Sequence, residues 1–188
     1  MKKILIVIPT ILILCFVILS ILPNKNAYMD KLNKTQTGSA TWAYGAHSID
    51  ELMNYSDLIV KGKVIDYEPI QDGDLIFTFE SVEVLEVIKG NVSKGDKITV
   101  VITGGELNGK VTNPIEDCPI MDMRTPYMLF LQKTDSGHYA IVAGNQGFGR
   151  IKNNTIEYTA HDNLTSLLKE YNEKTLTQKL QNEIKMVD

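Results

Sequence analysis

Hydrophobic and polar residues alternate along several short stretches of this chain. In DLIVKGKVIDYEP, three aliphatic residues share one face and two lysines share the other: Leu58, Val60, Val64, Lys61 and Lys63. Period-two alternation is the pattern of a half-buried strand. The segment KITVVIT repeats it, with its two isoleucines and first valine expected to point inward. Both stretches are therefore predicted to be strands.

The stretch from Phe77 to Gly90, FTFESVEVLEVIKG, is also predicted to be a strand, but an irregular one. Its glutamates recur every third residue, as on a helix face, yet its branched and aromatic side chains favour a pleated surface. The apolar face changes between Phe79 and Val82 and changes back at Leu85. A regular strand cannot change its inward face, whereas a β-bulge permits it. We therefore expect Phe79 and Val82 both to be buried, in a coiled barrel rather than a flat sheet.

Further elements follow from turn signals. Gly62 lies inside the first strand and indicates a bulge or a close backbone approach. IQDGD is a turn, and two hairpins are indicated where TDSG separates YMLFLQK from HYAIVA and where NN separates FGRIK from TIEYT. The segment from Gly104 to Pro126 lacks periodicity and is predicted to be a long excursion with a short strand near Lys110 to Thr112.

Helices are predicted at both ends of this β-rich region. Ser48 and Glu51 have capping-box spacing, which predicts a short helix from Ile49 to about Tyr55. After Asp162, a plausible cap, the sequence NLTSLLKEYNEKTLTQKLQNEIKMV has helical spacing. The order predicts a mainly β fold: an OB-like barrel of five to seven strands with a short N-terminal helix and a C-terminal helix.

The N-terminal segment has a different composition. Twenty residues from Ile4 to Pro23 carry no charge, and as a helix they would span about 30 Å, the thickness of the hydrocarbon core of a bilayer. Cleavage sites after this run are poor, because Lys25 precedes Ala27 at a position where a small residue is wanted. We therefore expect an uncleaved transmembrane signal anchor, with secretion after cleavage as the alternative.

This organisation divides the chain into an anchor at residues 1–23, a polar stalk at residues 24–45 and an OB-like domain at residues 46–188. The short N-terminal tail and the long remainder favour a single-pass cell-membrane protein whose C-terminal domain is extracytoplasmic. Net charge is −4 with no broad basic field, so nucleic acid is not an expected partner.

Two motifs resemble the netrin-like module, the family that includes tissue inhibitors of metalloproteinases. They are the stretch NYSDLIVKGKV and the stretch FESVEVLEVIKG, and the later PYMLFL is similar to a third strand of that family. The resemblance covers about Ile49 to Tyr139, extends to many small bacterial cell-surface proteins and implies an OB-like fold. Inhibitors of this family chelate zinc through an N-terminal cysteine and carry several disulfides. This chain has neither feature, so the resemblance implies fold rather than inhibition.

Candidate chemistry is sparse. His47, His138 and His161 are scattered without metal-ligand spacing, so neither a metal nor another cofactor is expected. Cys118 is the only cysteine outside the apolar segment; an inert, partly buried thiol is favoured over a nucleophile paired with His138. GNQGFGR is not followed by a predicted helix, so it indicates tight backbone rather than a phosphate loop.

The sequence therefore favours a non-catalytic binding module for a protein or a cell-envelope component. The expected partner-binding residues lie in two irregular segments: Trp42, Tyr44, Glu106, Asp122 and Arg124. Exposed Trp, Tyr and Arg side chains often anchor interfaces, although Trp42 and Tyr44 could instead pack against the barrel. The alternatives are an inhibitor of an extracellular protease and, ranked last, a thiol-dependent enzyme using Cys118.

Overall fold

A computed structural model describes residues 45–114 and 118–187. This part of the chain is mainly β, and its elements are, in order, α1 (Ile49–Asn54), β1 (Leu58–Asp72), β2 (Leu75–Lys89), β3 (Lys97–Thr103), β4 (Gly105–Leu107), β5 (Lys110–Thr112), β6 (Pro126–Lys133), β7 (Tyr139–Ile141), a 3₁₀ turn (Gly144–Gln146), β8 (Phe148–Lys152), β9 (Thr155–Glu157), α2 (Asn163–Leu168) and α3 (Glu173–Val187).

No helix within the described residues is long and apolar enough to cross a membrane. The predicted anchor at residues 1–23, and the predicted stalk apart from its last residue, lie outside the part of the chain that the structure describes.

Seven strands form one sheet in the order β1-β2-β3-β7-β6-β8-β9, and β4 pairs with β5 as a separate hairpin. β1 pairs not only with β2 but also with β6. The pairings therefore run from β1 through β2, β3, β7 and β6 and return to β1. Within this circuit β3 and β7 are parallel, while the other neighbours are antiparallel.

The β1–β2 hairpin is long and irregular, as its sequence predicts. In the β1–β2 register, Leu85 and Ile88 of β2 and Ile65 of β1 have no partner on the opposite strand. Gly62 lies in this irregular region, where an added Cβ would stand 2.5 Å from Cγ1 of Val82. The predicted close approach at Gly62 is therefore confirmed. The extra residues bend and coil the two strands.

The inward face of β2 differs from the prediction in one respect. Val82 is buried, as expected, but Phe79 is only half-buried and points away from the main core. The inward positions beside it belong to Thr78 and Glu80, both buried. The predicted change of face between Phe79 and Val82 is therefore wrong, because polar residues continue the inward row of Val82. The predicted irregularity at Leu85 is confirmed.

Two apolar layers lie on opposite sides of β1 and β6. On β6, Leu129 and Leu131 pack with the inward residues of β2 and β3, whereas Met128 and Phe130 face the helices. Both faces of β6 are covered, so its residues from Tyr127 to Leu131 are all buried. The helices therefore complete a second core and are not loose appendages.

The helix ends follow from side-chain caps. Ser48 caps α1 by accepting a hydrogen bond from the backbone N–H of Glu51, and Asp162 caps α2. The C-terminal region is two helices rather than the single predicted one. Asn172 accepts a hydrogen bond from the backbone N–H of Thr175 at 2.9 Å and starts α3 separately. This local side-chain hydrogen bond competes with continuation of the preceding helix and so explains the break between α2 and α3.

Candidate functional site

A cleft of about 610 Å³ opens on the outward side of β2 and β3. Its lining comes from the distal half of the β1–β2 hairpin, from β3, from the β6–β7 hairpin and from Cys118. Its aromatic and aliphatic lining residues include Phe77, Phe79, Val101, Ile102 and Ile141. A cleft of this size and composition matches the usual sites of small molecules and anchoring side chains.

The position of this cleft follows from strand pairing. β3 and β7 pair at Val100 and Tyr139, and no pairing joins the two strands beyond these residues. Ile102 and Ile141 lie past the pairing and both line the cleft. The cleft therefore lies where this part of the sheet opens.

An aromatic platform forms one wall. Phe77 and Phe79 are two residues apart on β2 and share its outward face. The ring of His138, in the β6–β7 turn, meets Phe79 edge-on with ring centroids 5.2 Å apart. This T-shaped contact is a favoured arrangement for aromatic rings and fixes the turn against the wall.

Three acidic residues line the cleft or lie beside its lining. Asp72 lines it, and Glu68 lies directly across the β1–β2 ladder from Phe79. Asp135 lies in the β6–β7 turn between two lining residues, Thr134 and Ser136. Glu68, Asp72 and Asp135 are all exposed and have no ion-pair partner within residues 45–114 and 118–187. Neither lysine nor arginine occurs among the described lining residues.

Cys118 also lines the cleft, and the residue is 5% exposed. Burial, with a smaller effect from the nearby Glu80, raises the pKa of Cys118 to about 12. The thiol is therefore protonated at neutral pH. A nucleophilic cysteine requires the opposite shift, which a positive neighbour or a helix N-terminus usually provides. Cys118 and His138 line the same cleft, but no imidazolium effect lowers the pKa of this thiol.

The expected partner-binding residues lie elsewhere. Trp42 and Tyr44 lie outside the described residues. Glu106 is on β4, which packs against the distal half of the β1–β2 hairpin, where Gly105 approaches Ile76. None of the described residues of the expected set lines the cleft.

Asp122 and Arg124 lie near the middle of β1 instead. The side chain of Asp122 forms an ion pair with Arg150 on β8. Arg124 has an exposed side chain and a positive φ of 62°, and its backbone N–H donates to the carbonyl of Val64 at 2.7 Å. The structure thus brings Asp122 and Arg124 to one region and Glu106 to another.

The sequence did not predict that these residues meet at one cleft. It predicted Phe79 in the core through a β-bulge, and it considered His138 beside Cys118 only as the disfavoured nucleophilic pair. One available signal was the alternation itself, because Phe77 and Phe79 are out of phase with Val82 and Val84. Two neighbouring apolar side chains on the face opposite the core can form part of a larger apolar interaction surface.

No group of three or more histidine, cysteine, aspartate or glutamate side chains is arranged to hold a metal ion within the described residues. No protein-family model matches the chain, and no curated protein or solved structure is significantly similar to it.

Proposed function

We propose that the chain is a non-catalytic, membrane-anchored extracytoplasmic binding module whose domain is an OB-like barrel. The barrel is supported by the circuit of pairings from β1 through β2, β3, β7 and β6 back to β1. A circuit of five strands is typical of a small closed barrel, and so is a single parallel pairing between the third strand in sequence, β3, and the last, β7. The bulges in the long first hairpin allow its strands to bend sharply, as such a barrel requires.

The single observation that carries the binding proposal is the position of the cleft. OB barrels take their ligands on the face of strands 2 and 3, between the loop that joins strands 1 and 2 and the loop that joins strands 4 and 5. The cleft lies on β2 and β3 between the β1–β2 turn and the β6–β7 turn, which occupy those places in the circuit.

The absence of a catalytic role is supported by the chemistry of the lining. Its described residues provide a protonated thiol at Cys118, the imidazole of His138 and the carboxylate of Asp72. The remaining lining residues are apolar, hydroxyl or amide side chains. Such a set suits recognition by shape and hydrogen bonding.

The partner class follows from the charges. Nucleic acid binding depends on lysine and arginine contacts to phosphate, and the described lining has neither. The remaining partner classes are a protein and a neutral or basic cell-envelope component. The netrin-like resemblance makes an inhibitor of an extracellular protease a second reading, although the cysteine that chelates zinc in those inhibitors has no counterpart here.

Membrane anchoring is supported by the uncharged run from Ile4 to Pro23. Protease added to intact spheroplasts should digest the domain if it lies outside the membrane. Protection of the domain, with an internal cytoplasmic control also protected and detergent restoring digestion, would reverse the proposed topology.

Ligand capture at the cleft is tested by site-specific crosslinking in the host cell. The photoreactive residue p-benzoylphenylalanine replaces Val101 at the cleft or, as a control, Lys152 on β8, which is exposed and lies outside the cleft lining. We expect an adduct of defined mass at Val101 only, lost when Phe79→Ser is added. Equal adducts at both positions, or an adduct that survives Phe79→Ser, would contradict binding at the cleft.

A further inference from the structure

We propose that the ligand of the cleft is an extended peptide segment of another protein with the order basic–apolar–basic at alternate residues. This inference rests on the proposed binding function and specifies its partner. It is drawn from the side-chain pattern on the outward face of the β1–β2 hairpin.

The pattern on β1 is acidic, apolar, acidic. Glu68, Ile70 and Asp72 are two residues apart, so they share one face of the strand. Ile70 is 36% exposed, which is high for an isoleucine at the edge of a cleft. The two carboxylates stand on either side of it, about 13 Å apart at the usual rise of a strand.

The neighbouring row on β2 is apolar throughout. Directly across the ladder, Phe79 stands opposite Glu68, Phe77 opposite Ile70, and Leu75 opposite Asp72. Leu75 is 47% exposed. Each row therefore repeats every two residues, and an extended peptide lying along the hairpin repeats its side chains at the same spacing.

Charge complementarity then selects the flanking residues. A lysine or arginine at position i of the peptide, an apolar residue at i+2 and a second basic residue at i+4 would match Glu68, Ile70 and Asp72 in register. Within the described residues, no lysine or arginine forms an ion pair with either carboxylate. The apolar side chain would pack on Ile70 and Phe77, and Asp135 adds to the negative potential.

Other occupants fit less well. A second copy of this hairpin would bring acidic rows together, and like charges across an interface are costly. An anionic membrane surface would be repelled for the same reason. The acidic row therefore disfavours both occupants.

The test uses three synthetic fluorescent peptides and the full chain in detergent micelles, with binding followed by anisotropy. The matching probe has the order Ser-Thr-Lys-Thr-Phe-Thr-Lys-Thr-Ser. A rearranged probe, Ser-Thr-Thr-Lys-Phe-Lys-Thr-Thr-Ser, has the same composition but moves both lysines to the other side of an extended chain. A third probe has glutamate in place of each lysine.

We expect the matching probe to bind about tenfold tighter than either control probe and to weaken as salt rises. The double variant Glu68→Gln with Asp72→Asn should remove the preference. The pair Glu157→Gln with Glu170→Gln changes net charge equally at exposed positions outside the cleft lining and should retain it. Unchanged melting temperatures verify folding of both double variants.

Equal affinities for the matching and rearranged probes, or no binding of the matching probe, would overturn the peptide inference. If the adduct at Val101 still forms in cells, the cleft binds a ligand of another chemistry and only this inference fails. If no adduct forms and no probe binds, the proposed function fails as well.

Discussion

The buried carboxyl group of Glu80 accepts a hydrogen bond of 2.8 Å from the backbone N–H of Met121. Glu80 is completely buried on the inward face of β2, and its other carboxyl oxygen has no hydrogen-bond partner within the described residues. Burial raises the pKa of Glu80 to about 8, although the bond from Met121 opposes the shift. The carboxyl group is therefore mostly protonated at neutral pH. It joins β2 to the segment that carries Cys118.

Glu80 makes stability fall as pH rises. In the unfolded chain its pKa is near 4.5, so the unfolded state loses the proton first and is favoured between about pH 4.5 and pH 8. We expect the free energy of unfolding to drop by about 3 to 5 kcal/mol across this window from Glu80 alone. Urea unfolding at pH 5, 6.5 and 8 measures it. Glu80→Gln should flatten the dependence, whereas Glu157→Gln at an exposed site should leave it unchanged; equal slopes in all three proteins would contradict the assignment.

Gly62 and Val82 should be energetically coupled. A Cβ at position 62 would stand 2.5 Å from Cγ1 of Val82, so Gly62→Ala should cost about 1 to 3 kcal/mol through overpacking. Val82→Ala removes the clashing methyl group. In a double-mutant cycle, the pair should then be less destabilised than the sum of the single variants by at least about 1 kcal/mol. Additive losses would show that the two strands separate at position 62 instead of clashing.

The Cys118 thiol should react slowly. A rise of the pKa from 9.0 to about 12 lowers the thiolate fraction roughly a thousandfold near neutral pH. With Cys15→Ser removing the second thiol, iodoacetamide should modify native Cys118 at least about a hundredfold more slowly than the unfolded chain. Asn182→Cys, exposed on α3, provides a reactive control in the same native protein. Native and unfolded rates within tenfold of each other would indicate an accessible, ionisable thiol.

Much of the sheet was predictable because its local signals are strong. The inward positions of β3 alternate as expected, and the short strand Lys110–Thr112 lies where the sequence placed it. Both hairpins formed around TDSG and NN are confirmed by the pairings of β6 with β7 and of β8 with β9. These elements need only side-chain alternation and turn residues that are adjacent in the sequence.

The inward row of β2 was not predictable, because its polar members are satisfied by distant partners. Thr78 donates to the carbonyl of Gly104, 26 residues away, and Glu80 accepts from Met121, 41 residues away. Without those partners both would be costly to bury, so sequence reasoning placed Phe79 inside instead. The contact between the rings of Phe79 and His138 was likewise not predictable from local sequence, because it depends on the order of strands in the sheet.

The sequence GNQGFGR predicts close backbone packing before β8, but it does not indicate the role of this turn. An added Cβ at Gly147 would stand 2.1 Å from the carbonyl oxygen of Val142, which confirms the close packing expected for GNQGFGR. The same turn positions the buried Gln146, whose partners lie far away in the sequence at Ala46 and Asp162.

Gln146 should be important for the attachment of the first described residues to the domain. Its side-chain amide accepts from the backbone N–H of Ala46 at 2.8 Å and donates to the carbonyl of Ala46 at 3.2 Å. It also donates to the carboxylate of Asp162 at 2.9 Å, which caps α2. Gln146→Leu would leave these buried groups without partners, so we expect a loss of about 2 to 4 kcal/mol.

Gln146→Glu provides the sharper test of whether the Gln146 side-chain amide holds Ala46 against the domain. The new carboxylate would keep the bond from the N–H of Ala46 but face the carbonyl of Ala46 and the carboxylate of Asp162. We therefore expect a larger loss of stability at pH 7 than at pH 4.5, where the introduced carboxyl group is partly protonated. Gln178→Leu and Gln178→Glu, on the exposed face of α3, are the matched controls and should change stability by less than about 0.5 kcal/mol. Hydrogen exchange at Ala46 should accelerate in both Gln146 variants and in neither control. Unchanged exchange together with unchanged melting would mean that Ala46 is held by the apolar packing of α1 and not by this amide.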